Sequence, residues 1–328
     1  MSELYPLKFN PIFKEKLWGG QKIKTILGKD FGDLDNCGET WELSGVPGNV
    51  SEVSNGALKG ESLNDLVSDL KADLVGRSVY GRFGNEFPLL IKYIDAAQDL
   101  SVQVHPDDEL AHARHNSKGK AEMWYIIQCD RDSKLINGFN KKTDEAEFSK
   151  AFRNGDVLNL LNMESVFKGD AFYLPGGRVH AIGAGILLTE IQQTSDITYR
   201  IYDFDRVDKH GNVRELHVDQ ALDAINFSKP EQIKSEYSNE PNKANGIVAT
   251  PYFTTNKLII NQKKQIDRKE LDCFKIYIGV GGSGKIGNEN IKLGDVVLIP
   301  AAMKTYNIEP NGELELLETY IDASTSSA

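Results

Sequence analysis

Three short segments carry side chains that could act together on a cation. Ser101-Val-Gln103-Val-His105 sets Ser101, Gln103 and His105 on one face of an extended strand, because strand side chains alternate with period 2. Glu122 opens a strongly apolar strand two residues after Lys120, so charge stands on a face where core is expected. His180 follows the turn Pro175-Gly176-Gly177 and opens a further strand. Imidazole, carboxylate and amide oxygen together suit a borderline divalent ion such as zinc, although an amide ligand is uncommon. Spacing alone leaves two readings open, a solvated outer face or a lined pocket. His112, His115, His210 and His217 lie in polar, helix-like or loop stretches and are expected at the surface.

The elements that must position these residues read as mostly strand. β-branched and aromatic runs predict strands at Leu100–His105, Met123–Gln128, Ile186–Gln192 and Ile197–Tyr202. A second set follows at Tyr252–Ile260, Phe274–Val280, Val296–Ile299 and Leu314–Ile321. Helical spacing predicts helices at Ser62–Leu74, within Thr143–Asn162 and over about Val218–Asn226. The polar, aperiodic segment Lys229–Asn245 divides the chain. The expected arrangement is a metal-binding unit over residues 1–235, with a helical insert at about 143–165, and a compact β unit over 245–328. Many short strands with glycine-rich turns suit barrels or jelly rolls, not a parallel α/β sheet.

The segment Gly169-Asp-Ala-Phe-Tyr-Leu-Pro175-Gly-Gly177-Arg-Val-His180 resembles the second signature of the cupin family, in which the histidine binds a metal inside a small β-barrel. Ala184 stands where that signature usually has Asn. The spacing returns at Gly294-Asp-Val-Val-Leu-Ile-Pro300-Ala-Ala302-Met-Lys-Thr305, with Ala302 for the glycine and Thr305 for the histidine. The chain therefore reads as two repeated barrels, of which only the first keeps ligands.

Composition bounds the function. The 328 residues carry 48 acidic and 38 basic side chains, a net charge of −10, so the basic footprint of a general nucleic-acid binder is missing. A phosphorylated small molecule needs only a local cluster of cations. Cys37, Cys129 and Cys273 are odd in number and widely spaced, forming neither a disulfide framework nor a cysteine zinc site. The N-terminal residues lack the apolar run of a secretion signal, and no segment approaches the ~18 apolar residues of a membrane span. A reduced, cytoplasmic protein is expected.

In order along the chain, Ser101-x-Gln103-x-His105-Pro, Lys120-x-Glu122, Pro-Gly-Gly-x-x-His180 and Ser195-Asp196-x3-Arg200 resemble type I mannose-6-phosphate isomerases (phosphomannose isomerases). The likeness runs from near Leu7 to about Ile321, and Thr189–Arg206 resembles the short bacterial form. It implies a mainly β fold of two cupin-type jelly rolls with a small helical insert. It implies interconversion of mannose 6-phosphate and fructose 6-phosphate through a cis-enediol, with one zinc per chain held by Gln103, His105, Glu122 and His180. The catalytic set it implies is Arg200, Glu190, Asp196, Lys120 and Lys92, with Glu190 the first candidate for the base and Asp196 the second. Substrate contacts fall to Ser101, Arg200, Arg206, Glu39 and Trp18. Arg206 substitutes for the phosphate-binding lysine of the longer eukaryotic form. The implied partner is a sugar phosphate, with no nucleic acid or membrane, and the protein a monomer or homodimer.

Two other classes fit part of this pattern. Another metal-dependent cupin enzyme, such as a dioxygenase, usually presents His-x-His, and Gln103 in the first position disfavours iron. A non-catalytic cupin that senses sugar phosphates could dispense with Glu190, Asp196, Lys120 and Arg200. Metal analysis separates the first and a coupled fructose 6-phosphate assay the second.

Overall fold

The computed structural model describes residues 4–207 and 210–322, so the outermost residues of the two expected units, 1–3 and 323–328, lie outside the description. Eleven strands come from the first part of the chain: Ile12–Lys14 (β1), Glu39–Leu43 (β2), Leu89–Ala96 (β3), Val102–Val104 (β4), Glu122–Cys129 (β5), Lys134–Phe139 (β6), Leu161–Ser165 (β7), Ala171–Leu174 (β8), His180–Ile182 (β9), Ile186–Gln193 (β10) and Tyr199–Tyr202 (β11). They form two antiparallel sheets, ordered β1-β2-β3-β10-β5-β8 and β11-β4-β9-β6-β7. Seven further strands between Ala244 and Tyr320 make a third sheet. The architecture is mainly β, with the antiparallel sheets of a cupin-type fold. Among the described residues no helix is long and apolar enough to cross a membrane.

Packing explains which strands are legible. Ile94, Trp124, Phe172 and Leu174 of the first sheet meet Leu135 and Ile182 of the second in a dry barrel interior. The outer face of the first sheet, including Leu89, Ile91, Tyr93, Met123 and Leu187, packs against Phe274, Ile276, Ile278 and Leu317 of the third sheet. The strands β3, β5 and β10 are thus buried on both faces, and in β3 (Leu-Leu-Ile-Lys-Tyr-Ile-Asp-Ala) apolar residues fall on both parities. That is why β3 carries no period-2 signal, and the spacing does not predict it.

The insert is only partly helical. Asp144 caps the helix Glu145–Arg153 by accepting from Glu147 N–H. Gly155, at φ 77°, ends that turn, and residues 161–165 continue as strand β7 instead of helix. Phe148, Val157 and Ala221 pack this helix and the helix Val218–Ala224 onto the outer face of the second sheet. The predicted helix at Ser62–Leu74 is two helices, Leu63–Leu70 and Ala72–Val75, divided at Lys71 with φ 50°. Ser62 is its N-cap rather than its first residue. In the third sheet the last strand begins at Thr305, nine residues before the predicted Leu314, because it runs through the polar Glu309–Glu313 stretch.

Candidate active site

The register of the two sheets lines up two rows of side chains. On the first sheet Trp41, Lys92, Glu190, Trp124 and Phe172 are successive cross-strand partners on β2, β3, β10, β5 and β8. On the second, Arg200, Gln103, His180 and Asn137 are partners on β11, β4, β9 and β6. Such neighbours stand about 5 Å apart, so a row of functional groups needs no loop to gather it.

Where the sheets meet, His105, Glu122 and His180 converge, their donor atoms all within 4.8 Å of one another and all three residues buried. His180 is delivered by the turn at Gly177, whose φ of 82° and 2.8 Å approach to Ala224 O from a built Cβ leave no room for a side chain. Each imidazole donates Nδ1–H to a backbone carbonyl, His105 to Ile197 O and His180 to Arg178 O, both at 2.8 Å. Both Nε2 lone pairs then point at Glu122, 3.6 Å away for His105 and 3.2 Å for His180. Gln103 Nε2 lies 3.3 Å from His180 Nε2, and a half-turn of the amide presents its oxygen instead.

Electrostatics keeps this cluster in a ligating state. Burial and the Lys120 ammonium push His105 down to about 3, so the ring is neutral. Burial acts to raise Glu122, but the Lys120 ammonium beside it outweighs this and holds the carboxyl well below its usual range. Lys120 Nζ stands 2.9 Å from His105 Nε2 and 3.1 Å from Glu122 Oε2. Neither Glu122 oxygen accepts a well-aligned hydrogen bond, although both are buried. Two imidazoles oriented through their far nitrogens, a carboxylate with unsatisfied oxygens and an adjacent amide fit a divalent cation.

Gln103 and Lys120, which touch the cluster, also line a cleft of about 420 Å³, within the range of small-molecule sites. Lys92 and Glu190 face each other in its wall, Nζ to Oε1 at 3.0 Å, and Lys92 also reaches Gln192 Oε1 at 2.7 Å. Burial acts to lower Lys92, but Glu190 and Glu39 more than restore it, so the ammonium is kept charged. Burial likewise acts to raise Glu39, and Lys92 and Lys16 outweigh it. Trp41 Nε1–H donates to Glu39 Oε2 at 2.8 Å and Lys16 Nζ lies 3.3 Å from Oε1.

Of the residues singled out from the sequence, Trp18, Glu39, Lys92, Ser101, Gln103, Lys120, Glu190, Asp196 and Arg200 line the cleft, and His105, Glu122 and His180 lie buried behind Gln103 and Lys120. Arg206 does not line it. Its Nη2 bonds Asp203 Oδ1 at 2.6 Å and its Nη1 bonds Asp99 O at 2.8 Å. Arg214 lines the cleft instead, its Nε 2.6 Å from Asp203 Oδ2 and its Nη2 against Oδ1. Burial, then Arg214, pull the half-buried Arg200 guanidinium below its ordinary value. Lys16 and Arg214 thus join the cleft without a motif of their own. The only sequence signal for Arg214 is Asp203, an acid 11 residues earlier that holds two arginines at once.

Comparison with known proteins gives one family. Residues 6–123 match the model of the phosphomannose isomerase type I catalytic domain. The chain is 37% identical over 319 residues to the mannose-6-phosphate isomerase ManA of Bacillus subtilis, covering 94% of this chain and 97% of that protein. It is 35% identical over 320 residues to the mannose-6-phosphate isomerase of Streptococcus mutans, covering 96% and 98%. The crystal structure of the Bacillus subtilis mannose 6-phosphate isomerase superposes with a TM-score of 0.85 at 34% identity, over 96% of this chain and 99% of that one.

Proposed function

The chain belongs to the type I phosphomannose isomerases, and we propose that it interconverts mannose 6-phosphate and fructose 6-phosphate in this cleft, with one zinc ion per chain held by Gln103, His105, Glu122 and His180. The observation that carries the reading is one cleft walled by a buried acid–ammonium pair, Glu190 and Lys92, and by Gln103 and Lys120, which touch a buried His/Glu/His cluster.

Aldose–ketose isomerisation moves a proton from C2 to C1 and another from O2 to O1 through a cis-enediol, so the site must accept a carbon-bound proton and tolerate negative charge on the adjoining oxygens. A divalent ion bound at the cluster supplies Lewis-acid stabilisation of that charge. Glu190 is the base in this reading: Lys92 and Trp124 each take one bond at its two oxygens, which leaves lone pairs free to accept a proton. Asp196, exposed in the cleft lining, is the second candidate. Lys120 and Lys92 add fixed positive charge beside the reacting oxygens. Ser101, Glu39 and Trp18 contact the sugar. Arg200 takes the phosphate end, for which guanidinium geometry is well shaped. Arg206, tied to Asp203 and Asp99, acts from behind the wall.

Residues 1–235 form the catalytic unit in this reading, and 245–328 a second barrel without ligands, in a cytoplasmic monomer or homodimer. The test is a coupled assay of fructose 6-phosphate conversion with metal content measured on the same sample. Absence of turnover by zinc-loaded protein removes the reading.

A further inference from the structure

We propose that Trp124 is a positioning residue for the isomerisation, its indole N–H holding the Glu190 carboxylate in place opposite Lys92. The proposal rests on the reading of Glu190 as the base.

Trp124 is fully buried and does not line the cleft, so it meets no substrate. On β5 it stands two residues after Glu122 and therefore shares its face. It is the direct cross-strand partner of Glu190 on β10. Its Nε1–H donates to Glu190 Oε2 at 2.9 Å, while Lys92 holds Oε1 at 3.0 Å from the next strand. The carboxylate is thus gripped at both oxygens from opposite sides, and rotation about its last bond breaks one contact or the other. The edge of the same indole rests on His180, centroids 5.3 Å apart and planes at 81°. One rigid side chain spans the metal ligand and the base.

Filling the barrel interior does not by itself call for tryptophan here. Ile126 and Phe172 fill neighbouring sites with no polar atom. A buried indole N–H costs free energy unless it is bonded. Here the partner is the carboxylate expected to take the proton. A base displaced by about 1 Å can cost a hundredfold in rate, which is the scale on which such a grip matters.

The test uses zinc-loaded full-length protein. Trp124→β-(3-benzothienyl)alanine, introduced at that codon alone, keeps the ring outline and replaces N–H with sulfur. The expected result is a loss in kcat of at least tenfold, with KM for mannose 6-phosphate within about twofold and metal content unchanged. Trp124→Phe should lower kcat in the native background and lower the residual kcat of Glu190→Gln by less than twofold, because the indole acts through that carboxylate. Unchanged kcat in the benzothienyl variant overturns the proposal, and so does metal lost in step with kcat. Losses that multiply in the double variant also overturn it. Near-normal turnover in Glu190→Gln alone removes the reading beneath it, an outcome separable from the other three.

Discussion

Lys92 and Glu190 face each other across β3 and β10 with Nζ 3.0 Å from Oε1, and both side chains are more than nine-tenths buried. Each is largely shielded from water, so each leans strongly on the other. Removing one partner of such a pair costs about 3–5 kcal/mol. Lys92→Met should therefore lower the urea midpoint strongly and cut both kcat and sugar-phosphate affinity. Lys92→Met combined with Glu190→Gln should recover much of the lost stability and none of the activity. A single variant as stable as the native protein would show that the pair is not needed to satisfy either charge.

Glu190→Gln alone keeps the size of the side chain and lets its amide oxygen take one of the two contacts. It should retain metal and sugar-phosphate binding and lose most turnover, since an amide is a far poorer proton acceptor. Near-normal kcat would transfer the role to Asp196.

Metal content is a separate readout. Native protein should carry about one divalent ion per chain, and chelation should abolish activity. His105→Ala and His180→Ala should each lose the ion under dialysis, because three remaining donors hold it less well. Full occupancy in either variant would remove that histidine from the ligand set.

The ligand-type residues are legible in the sequence because each sits where local chemistry conflicts with its surroundings. Gln103 and His105 are polar at one strand parity, Glu122 begins an apolar strand, and His180 follows a turn that requires Gly177. Lys16 and Arg214 offer no such conflict. Their place in the cleft depends on Glu39 and Asp203, which orient them across non-local contacts. Trp124 is hidden for the opposite reason: within Met-Trp-Tyr-Ile-Ile it looks like core, and its N–H gains meaning only from the register that puts Glu190 beside it. The many short strands are visible in their turn spacing, whereas β3 is masked by burial on both faces.

The His105 ring also makes the metal-free protein sensitive to pH. Its folded value, about 3, lies below the ordinary 6.5. Above pH 6.5 neither state binds the proton and the neutral ring is no burden. Between 6.5 and 3 the unfolded chain takes up a proton that the folded one refuses, so stability falls as pH falls. For chelated protein the loss from this group between pH 7.5 and pH 5.5 is on the order of 1.4 kcal/mol. Below about pH 4.5 the depressed Glu122 adds a loss of the same sign. Urea titrations giving equal stability at pH 7.5 and 5.5 would mean that His105 is not held neutral.

Two arginines share one acid, Asp203, but face different surroundings. Asp203 is buried, and both Arg206 and Arg214 bond it, but only Arg214 lines the cleft. Arg206 spends its remaining contact on Asp99 O. With Arg200 alongside, Arg214 places a second guanidinium at the open end of a protein that is acidic overall, a local field suited to a dianionic phosphate. A charge-assisted hydrogen bond is worth roughly 1.5–3 kcal/mol, or about tenfold to a hundredfold in binding. Arg214→Met should raise KM for mannose 6-phosphate by at least tenfold, weaken competition by inorganic phosphate and leave metal content unchanged. Arg206→Met should mainly lower stability, with a smaller effect on KM through Asp203. Asp203→Asn should weaken phosphate selectivity as well, because it frees the guanidinium that the carboxylate orients. If Arg206→Met raises KM more than Arg214→Met does, the phosphate sits on the far side of Asp203, and the cleft's open end is not where the sugar phosphate enters.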